Sequence, residues 1–340
     1  MKRYLLFTLI LLLWGCKPDR KVSTSFYYWK TVYRTDQTEQ EYFSKMQSQK
    51  LYMRIMDVAM DESGTRPVPI SPIEFKEPLP ASTEIVPVVY LVNDVLKQVT
   101  ETELKTLSAQ MAHFVTEKVK RSGSRIFREV QLDCDWMATT RDKYFYLLKQ
   151  LRLQAGMKGK ILSVTLRLHK LKNLKSSGIP PADKVLLMCY NMGNLRKYGS
   201  QNSILEISEL KKYTGENLSA YPLPMDVALP LFSWCVVFRN KEYAGISKSL
   251  NPGILRTKAL FKAKGNNEYE AIADMEDYGL RKADLVRYEE VSAEKLLETS
   301  RYLSSYLAGD SLNLIFYHLD KKTITKYTDD ELKKIRDSFY

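Results

Sequence analysis

The chain has 340 residues, of which 44% are hydrophobic and 27% charged, the balance of a globular protein and not of a disordered one. Its formal net charge of +12 favours anionic surroundings such as acidic glycans, envelope phosphates or lipid headgroups. There are three histidines, no His-x-His or His-Glu-x-x-His spacing, no Gly-x-Ser-x-Gly elbow and no phosphate-cradling glycine loop, so a zinc site, a serine hydrolase and a nucleotide enzyme lack support. No metal, cofactor or nucleic-acid partner is expected. The basic residues are scattered, and their densest stretches, Lys118 to Arg128 and Arg167 to Lys175, read as solvated helix ends and loops.

Lys2 and Arg3 precede an apolar run from Leu5 to Trp14, the pattern of a secretory leader too short to span a bilayer permanently. Leu13-Trp14-Gly15-Cys16 then resembles the bacterial lipoprotein box, although Trp14 is bulkier than the small residue usual there. Residues 1–15 are therefore expected to be a signal peptide, Cys16 the lipidated residue, 16–22 a tether and 23–340 the folded body. The address this implies is the bacterial cell envelope, held to a membrane by lipid, with the outer membrane favoured. Setting Cys16 aside leaves Cys134, Cys189 and Cys235, each inside an apolar run, which read as small buried hydrophobes and not as a disulfide framework.

Along the body, apolar or alternating runs occur at Ser25 to Tyr33, Leu51 to Val58, Glu84 to Val92, Glu129 to Trp136, Ile161 to His169, Lys184 to Met192, Val227 to Val237 and Leu312 to Leu319. Thr-x-x-Glu capping boxes open helices between several of them, at Thr38 with Glu41, Thr100 with Glu103 and Thr328 with Glu331. Strands alternating with amphipathic helices predict a parallel sheet, and eight of them predict a closed (β/α)8 barrel of the TIM type. Residues 239–310 exceed a single helix and are expected to form an inserted subdomain or long loops, followed by the seventh helix.

The fourth run carries the chemistry. In Glu129-Val130-Gln131-Leu132-Asp133-Cys134-Asp135-Trp136, strand alternation puts Gln131, Asp133 and Asp135 on one side, opposite Val130, Leu132 and Cys134. Charge left at the C-terminal end of a barrel strand marks the catalytic face of this architecture. On the fifth run, Arg167 and His169 fall on the polar side, and are expected to face Asp133 and Asp135 across the mouth. Trp29, Trp136, Tyr190, Trp234 and Tyr317 fall at strand ends, where aromatic faces can stack on sugar rings. Asp57, Asp94 and Asp320 follow other strands as candidates for a further carboxylate.

Val130-Gln131-Leu132-Asp133-Cys134-Asp135-Trp136-Met137 resembles the fourth-strand Asp-x-x-Asp-x-Asp-x-Glu of glycoside hydrolase family 18, the chitinase-like barrels. It keeps the second and third aspartates but has Val130 at the first and Met137 at the terminal glutamate. Met188-Cys189-Tyr190-Asn191-Met192-Gly193 resembles the Met-x-Tyr-Asp motif, with Asn191 for the aspartate. Leu229-Pro230-Leu231-Phe232-Ser233 is similar to Leu-Pro-Phe-Tyr-Gly, and Phe316-Tyr317-His318-Leu319-Asp320 puts Tyr317 where a tryptophan usually lies under the sugar. The lipobox combined with these motifs also resembles a group of bacterial envelope barrel proteins.

The resemblance implies a carbohydrate ligand at the mouth, with Trp29, Asp57, Trp136, Arg167, His169, Tyr190, Asn191, Trp234 and Tyr317 as binding residues and Asp133 and Asp135 as the catalytic pair. It also implies that the glutamate serving as general acid is missing, and methionine cannot donate a proton. Two readings stay open. In the first the protein hydrolyses the carbohydrate, Asp135 being the acid or orienting group and Asp133 raising its pKa by like-charge proximity. In the second it is a non-catalytic glycan-binding or scaffold lipoprotein, and Asp133 belongs to a structural polar network.

Overall fold

The computed structural model describes residues 20–124 and 127–340; the leader and Cys16 lie outside the described residues. Eight strands form the barrel: β1 (Lys21–Tyr28), β2 (Lys50–Met60), β3 (Glu84–Leu91), β4 (Glu129–Asp133), β5 (Ile161–Arg167), β6 (Lys184–Met188), β7 (Met225–Pro230) and β8 (Ser311–Tyr317). Each is parallel to its neighbours, and β1 pairs with both β8 and β2, so the ring closes. The fold begins slightly earlier than the sequence suggested. Arg20 is already hydrogen-bonded to the body, and Lys21 and Val22, expected in the tether, are the first residues of β1.

Helices run down the outside, where their apolar stripes meet the strands' outer faces. The helix Glu101–Ser122 shows the predicted capping box, with Thr100 and Glu103 satisfying each other's backbone N–H groups, and ends on Gly123 in the left-handed region. Its buried face includes Leu104, Leu107, Met111 and Val115. A second predicted box, Thr328 with Glu331, opens Asp329–Asp337. The third is corrected: Asp36 caps the helix Gln37–Lys45 by accepting from the Glu39 N–H, so the helix starts ahead of Thr38. No helix among the described residues is long and apolar enough to cross a membrane.

The strands end earlier than the alternation suggested. β4 stops at Asp133, β5 gives way to helix at Leu168, and β6 stops at Met188. The seventh run is two strands. After Pro230 the chain leaves the barrel through Leu231-Phe232-Ser233 and enters a separate five-stranded antiparallel sheet at Trp234–Arg239. That sheet continues with Glu242–Ser247, Phe261–Gly265, Glu268–Ala271 and Leu285–Glu289, so the insert starts five residues before the predicted 239 and its sheet ends at Glu289. Two of its hairpins turn on Asn240-Lys241 and Asn266-Asn267, all four at positive φ, the backbone that matches the right-handed twist of paired strands. Trp234 and Glu289 are register partners.

The base of the barrel interior is a connected polar layer. Glu129, fully buried, accepts from Tyr52 Oη at 3.2 Å and Ser163 Oγ at 2.7 Å, and pairs with Lys184 at 3.0 Å. Lys184 also reaches Asp226 at 2.7 Å, and Asp226 accepts from the Asn313 N–H at 2.9 Å. Asn313 in turn donates to Tyr52 Oη and accepts from Ser25 Oγ. With two carboxylates against it, the Lys184 ammonium is raised well above its ordinary value despite burial, so it stays charged.

Candidate functional site

Above that layer β4 aims Gln131 and then Asp133 into the ring, as its alternation predicts. Gln131 accepts from the Tyr27 hydroxyl of β1. Asp133 accepts from Thr165 Oγ1 of β5 at 2.6 Å. Burial pushes the Asp133 carboxyl up to about 6, the nearby Asp135 and Asp57 charges push the same way, and the Thr165 bond and Arg167 oppose them. Asp135 is treated differently. Burial would raise it, but Arg167 of β5 grips it through two parallel bonds, Nε to Oδ1 at 2.7 Å and Nη2 to Oδ2 at 2.9 Å, and holds the carboxyl below its ordinary value. The two carboxyls are thus pushed apart, Asp133 toward the protonated form by burial and Asp135 toward the anion by Arg167.

Asp57 is clamped in the same manner. A bulge in β2 between Arg54 and Met56 breaks the period of two, and Arg54 then donates from Nε to Asp57 Oδ1 at 2.6 Å and from Nη2 to Oδ2 at 2.5 Å. The same guanidinium lies 5.9 Å from the Trp29 ring. The other candidate carboxylates are used elsewhere: Asp94 pairs with Lys97 on an exposed helix, and Asp320 caps Lys321–Ile324 and pairs with Lys30. Met137 is 44% exposed, and its backbone N–H is bonded to Thr140 Oγ1.

The aromatic set is gathered around Tyr317 at the end of β8. Its ring centroid is 5.1 Å from Tyr190, 5.5 Å from Tyr27, 5.6 Å from Trp29 and 5.7 Å from Phe232. Phe232 extends the chain of rings to Trp234 at 5.2 Å, whose indole N–H donates to Glu289 of the insert at 3.0 Å. Beyond it, a polar cleft of about 470 Å³ between the insert and the segment after β6 is lined by Gln201, Asn202, Asn267, Glu289 and Lys295. Gly193 lets that segment approach, since a Cβ there would meet the Ser203 Cα at 2.9 Å. The held segment presents the Ser203 N–H and hydroxyl to Glu289, both at 2.6 Å.

Three expected site residues are placed away from this assembly. Trp136 is core: 1% exposed, stacked on Tyr144 at 5.0 Å, with its indole N–H donated to the Ser177 carbonyl. The buried Lys170 lies over its ring at 3.8 Å and donates to its carbonyl, and burial pulls this ammonium down to about 8. His169 lies past the end of β5, in the helix Leu168–Lys172, with its imidazole exposed, and it acts on Asp135 through its charge without a hydrogen bond among those described. Asn191 is exposed at positive φ, with its N–H given to the Ile204 carbonyl. Arg54, Tyr27 and Phe232 had not been singled out. Arg54 and Asp57, three apart on a strand, read as opposite faces, and only the bulge joins them.

Among the described residues no group of three or more His, Cys, Asp or Glu side chains could hold a metal ion. No protein-family model matches the chain, and no curated protein matches it in sequence. Solved structures do. A chitinase from Chromobacterium violaceum superposes with a TM-score of 0.56 at 14% identity, over 93% of this chain and 98% of its own. The spore cortex-lytic enzyme SleL of Bacillus cereus gives 0.53 at 12%, over 96% and 76%. The second catalytic domain of the Group II chitinase of Ostrinia furnacalis, as a glutamate-to-leucine mutant in complex with an N-acetylated chitin oligosaccharide, gives 0.51 at 12%, over 92% and 95%. At these identities the likeness speaks for the fold, a closed parallel eight-stranded (β/α)8 barrel like that of the chitinase, as the count of strand runs predicts.

Proposed function

We propose that this chain is a lipid-anchored protein of the bacterial envelope that binds a carbohydrate at the C-terminal mouth of its barrel and does not cleave it. One observation carries the choice between the two readings: the carboxylate beside the missing acid, Asp135, is locked as an anion by Arg167, and the donor position is Met137. Glycoside cleavage asks for a proton donor at the leaving oxygen and a second carboxyl free to attack or orient. Here Asp57 and Asp135 are each neutralised by an arginine, and Asp133 is half-buried against Thr165. Binding asks for less. The rings of Trp29, Tyr317, Phe232 and Trp234 offer apolar faces beside hydrogen-bonding groups, the pairing that sugars require. Among proteins of this fold, the Ostrinia domain holds a chitin oligosaccharide with a glutamate replaced by leucine, which supports N-acetylglucosamine oligomers as the first ligands to try.

Titration calorimetry with N-acetylglucosamine oligomers and peptidoglycan fragments tests this. Tyr317→Ala and Trp29→Ala should each weaken binding by about tenfold, roughly 1.4 kcal/mol, with the far-UV circular dichroism unchanged. Prolonged incubation should release no reducing ends. Release that disappears in Asp133→Asn or Asp135→Asn would instead establish the hydrolytic reading, and no affinity for any envelope glycan would remove both.

A further inference from the structure

The base of the barrel, opposite the sugar mouth, carries a second organised surface. Arg20 ties the start of the body to this end, donating from Nη2 to the Leu307 carbonyl at 2.7 Å, from Nη1 to that of Phe339 at 3.0 Å and from Nε to that of Gly309 at 3.2 Å. Cys16 precedes Arg20 by four residues, a reach of at most ~14 Å at ~3.5 Å per extended residue. A lipid on Cys16 therefore holds the base, and not the mouth, close to the bilayer.

That base is basic and partly apolar around the starts of β4 and β5. Arg128, 74% exposed, pairs with the buried Glu84 at 3.5 Å, and its carbonyl accepts from the Ile161 N–H at 2.9 Å. Lys160 lies 4.2 Å from the Phe127 ring and donates to the Phe127 carbonyl, with the exposed Lys158 two residues before it. Arg121 joins them from the last turn of Glu101–Ser122, whose Ser122 carbonyl accepts from the Leu79 N–H just before β3. Two large apolar side chains stand exposed at the same end, Leu153 at 75% and Ile161 at 39%. Cations flanking exposed aliphatic groups form the composition that settles into a headgroup layer, the aliphatic groups entering and the lysine stems lying along the boundary.

We propose that this surface docks on an anionic phospholipid bilayer, so that the barrel stands on its base with the carbohydrate mouth facing away from the membrane. The proposal rests on the lipid-anchor reading for its geometry, but its chemistry is independent of the lipid. Each Lys or Arg at an anionic surface strengthens attachment by about fivefold, so four cations and two apolar contacts supply an attachment of their own, which orients the barrel.

The test uses a chain beginning at Arg20, which contains every strand of the closed barrel and lacks both leader and Cys16. It should co-sediment with phosphatidylglycerol–phosphatidylethanolamine vesicles at low salt, be released at high salt and ignore phosphatidylcholine vesicles. The double substitution Lys158→Glu with Lys160→Glu should weaken retention by at least about tenfold, and Leu153→Ser should weaken it less, with unchanged thermal unfolding in both. Absence of retention on anionic vesicles, equal retention on neutral ones, or a double variant that binds like the parent would overturn the docking surface. Lipidation is read separately, from the mass of the N-terminal peptide of the full-length protein. An unmodified Cys16 removes the anchor while leaving the vesicle result to stand or fall by itself.

Discussion

At the base of the barrel interior Glu129 and Asp226 share one lysine, Lys184, and the remaining valences go to Tyr52, Ser163 and Asn313. At the mouth Asp57 and Asp135 each have a private arginine, and Asp133 has a single hydroxyl and burial. Both ends put carboxylates inside a ring of strands, and they solve the desolvation problem in opposite ways. The base is a shared network: Glu129, Asp226, Lys184 and, at 3.7 Å from Glu129, Lys50 hold one another together with their hydrogen-bond partners. The mouth is clamped pair by pair beneath a half-exposed aromatic rim, so its polar groups are fixed in direction while the rings above them stay available.

The contrast can be broken most severely at the base. Replacing Lys184 by Met leaves the buried Asp226 without its cation and Glu129 with the more distant Lys50 at 3.7 Å, and urea unfolding should show a loss of about 3–5 kcal/mol. A loss below ~1 kcal/mol, the scale of exposed pairs, would mean that water already reaches this layer. At the mouth Asp133 acts with the other sign. Its folded pKa of about 6 lies above the ordinary carboxyl value of 3.8, so the folded state holds the proton longer than the unfolded chain does. Stability from this group should therefore fall as pH rises from about 4 to about 6 and remain lowered above that window. Asp133→Asn should remove this dependence and stabilise the fold at pH 7 by ~1–2 kcal/mol, discounted because the residue is partly solvent-accessible. A variant that unfolds more easily at pH 7 would show that Asp133 is needed as an anion. The smallest effect belongs to Arg167→Gln. With the Asp135 side chain 43% exposed, the pair contributes about 1 kcal/mol or less. The carboxyl of Asp135 should then titrate at higher pH in carbon-detected NMR, and an unmoved titration would locate the cause of its depression elsewhere.

Much of this was legible in the residues. Alternation in β4 put Asp133 and Asp135 on the inward side, and the alternation of β5 put Arg167 opposite them, because one inward face is chemically unlike the other. The count of apolar runs led to the closed ring. What could not be read was where strands stop. The periodic pattern continues past Asp133 and Arg167 into segments that are no longer extended, so Trp136 and His169 inherited an orientation the backbone does not keep. Trp136 in particular is drawn into the core by Tyr144 and Lys170, contacts that join distant positions. The bulge in β2 hid the Arg54–Asp57 pair for the converse reason, a local irregularity with no sequence signature of its own. The seventh run hid a boundary, since Val227 to Val237 is apolar but for Ser233 although it serves two different sheets.

That boundary has a structural corollary. Because Trp234 and Glu289 face each other as register partners, the chain departs from the barrel and comes back at one spot, like a drawer on a single runner. Such a unit can be lengthened at its hairpin turns, Asn240-Lys241 and Asn266-Asn267, without entering the parallel ring that carries it. Besides Trp234 and Glu289, it is fastened to the segment after β6, where Arg287 donates to the Leu195, Lys197 and Gly199 carbonyls and Phe238 meets Tyr198 edge-on at 5.6 Å, so variation within the insert reshapes one wall of the cleft while the aspartates and tyrosines of the ring keep their places.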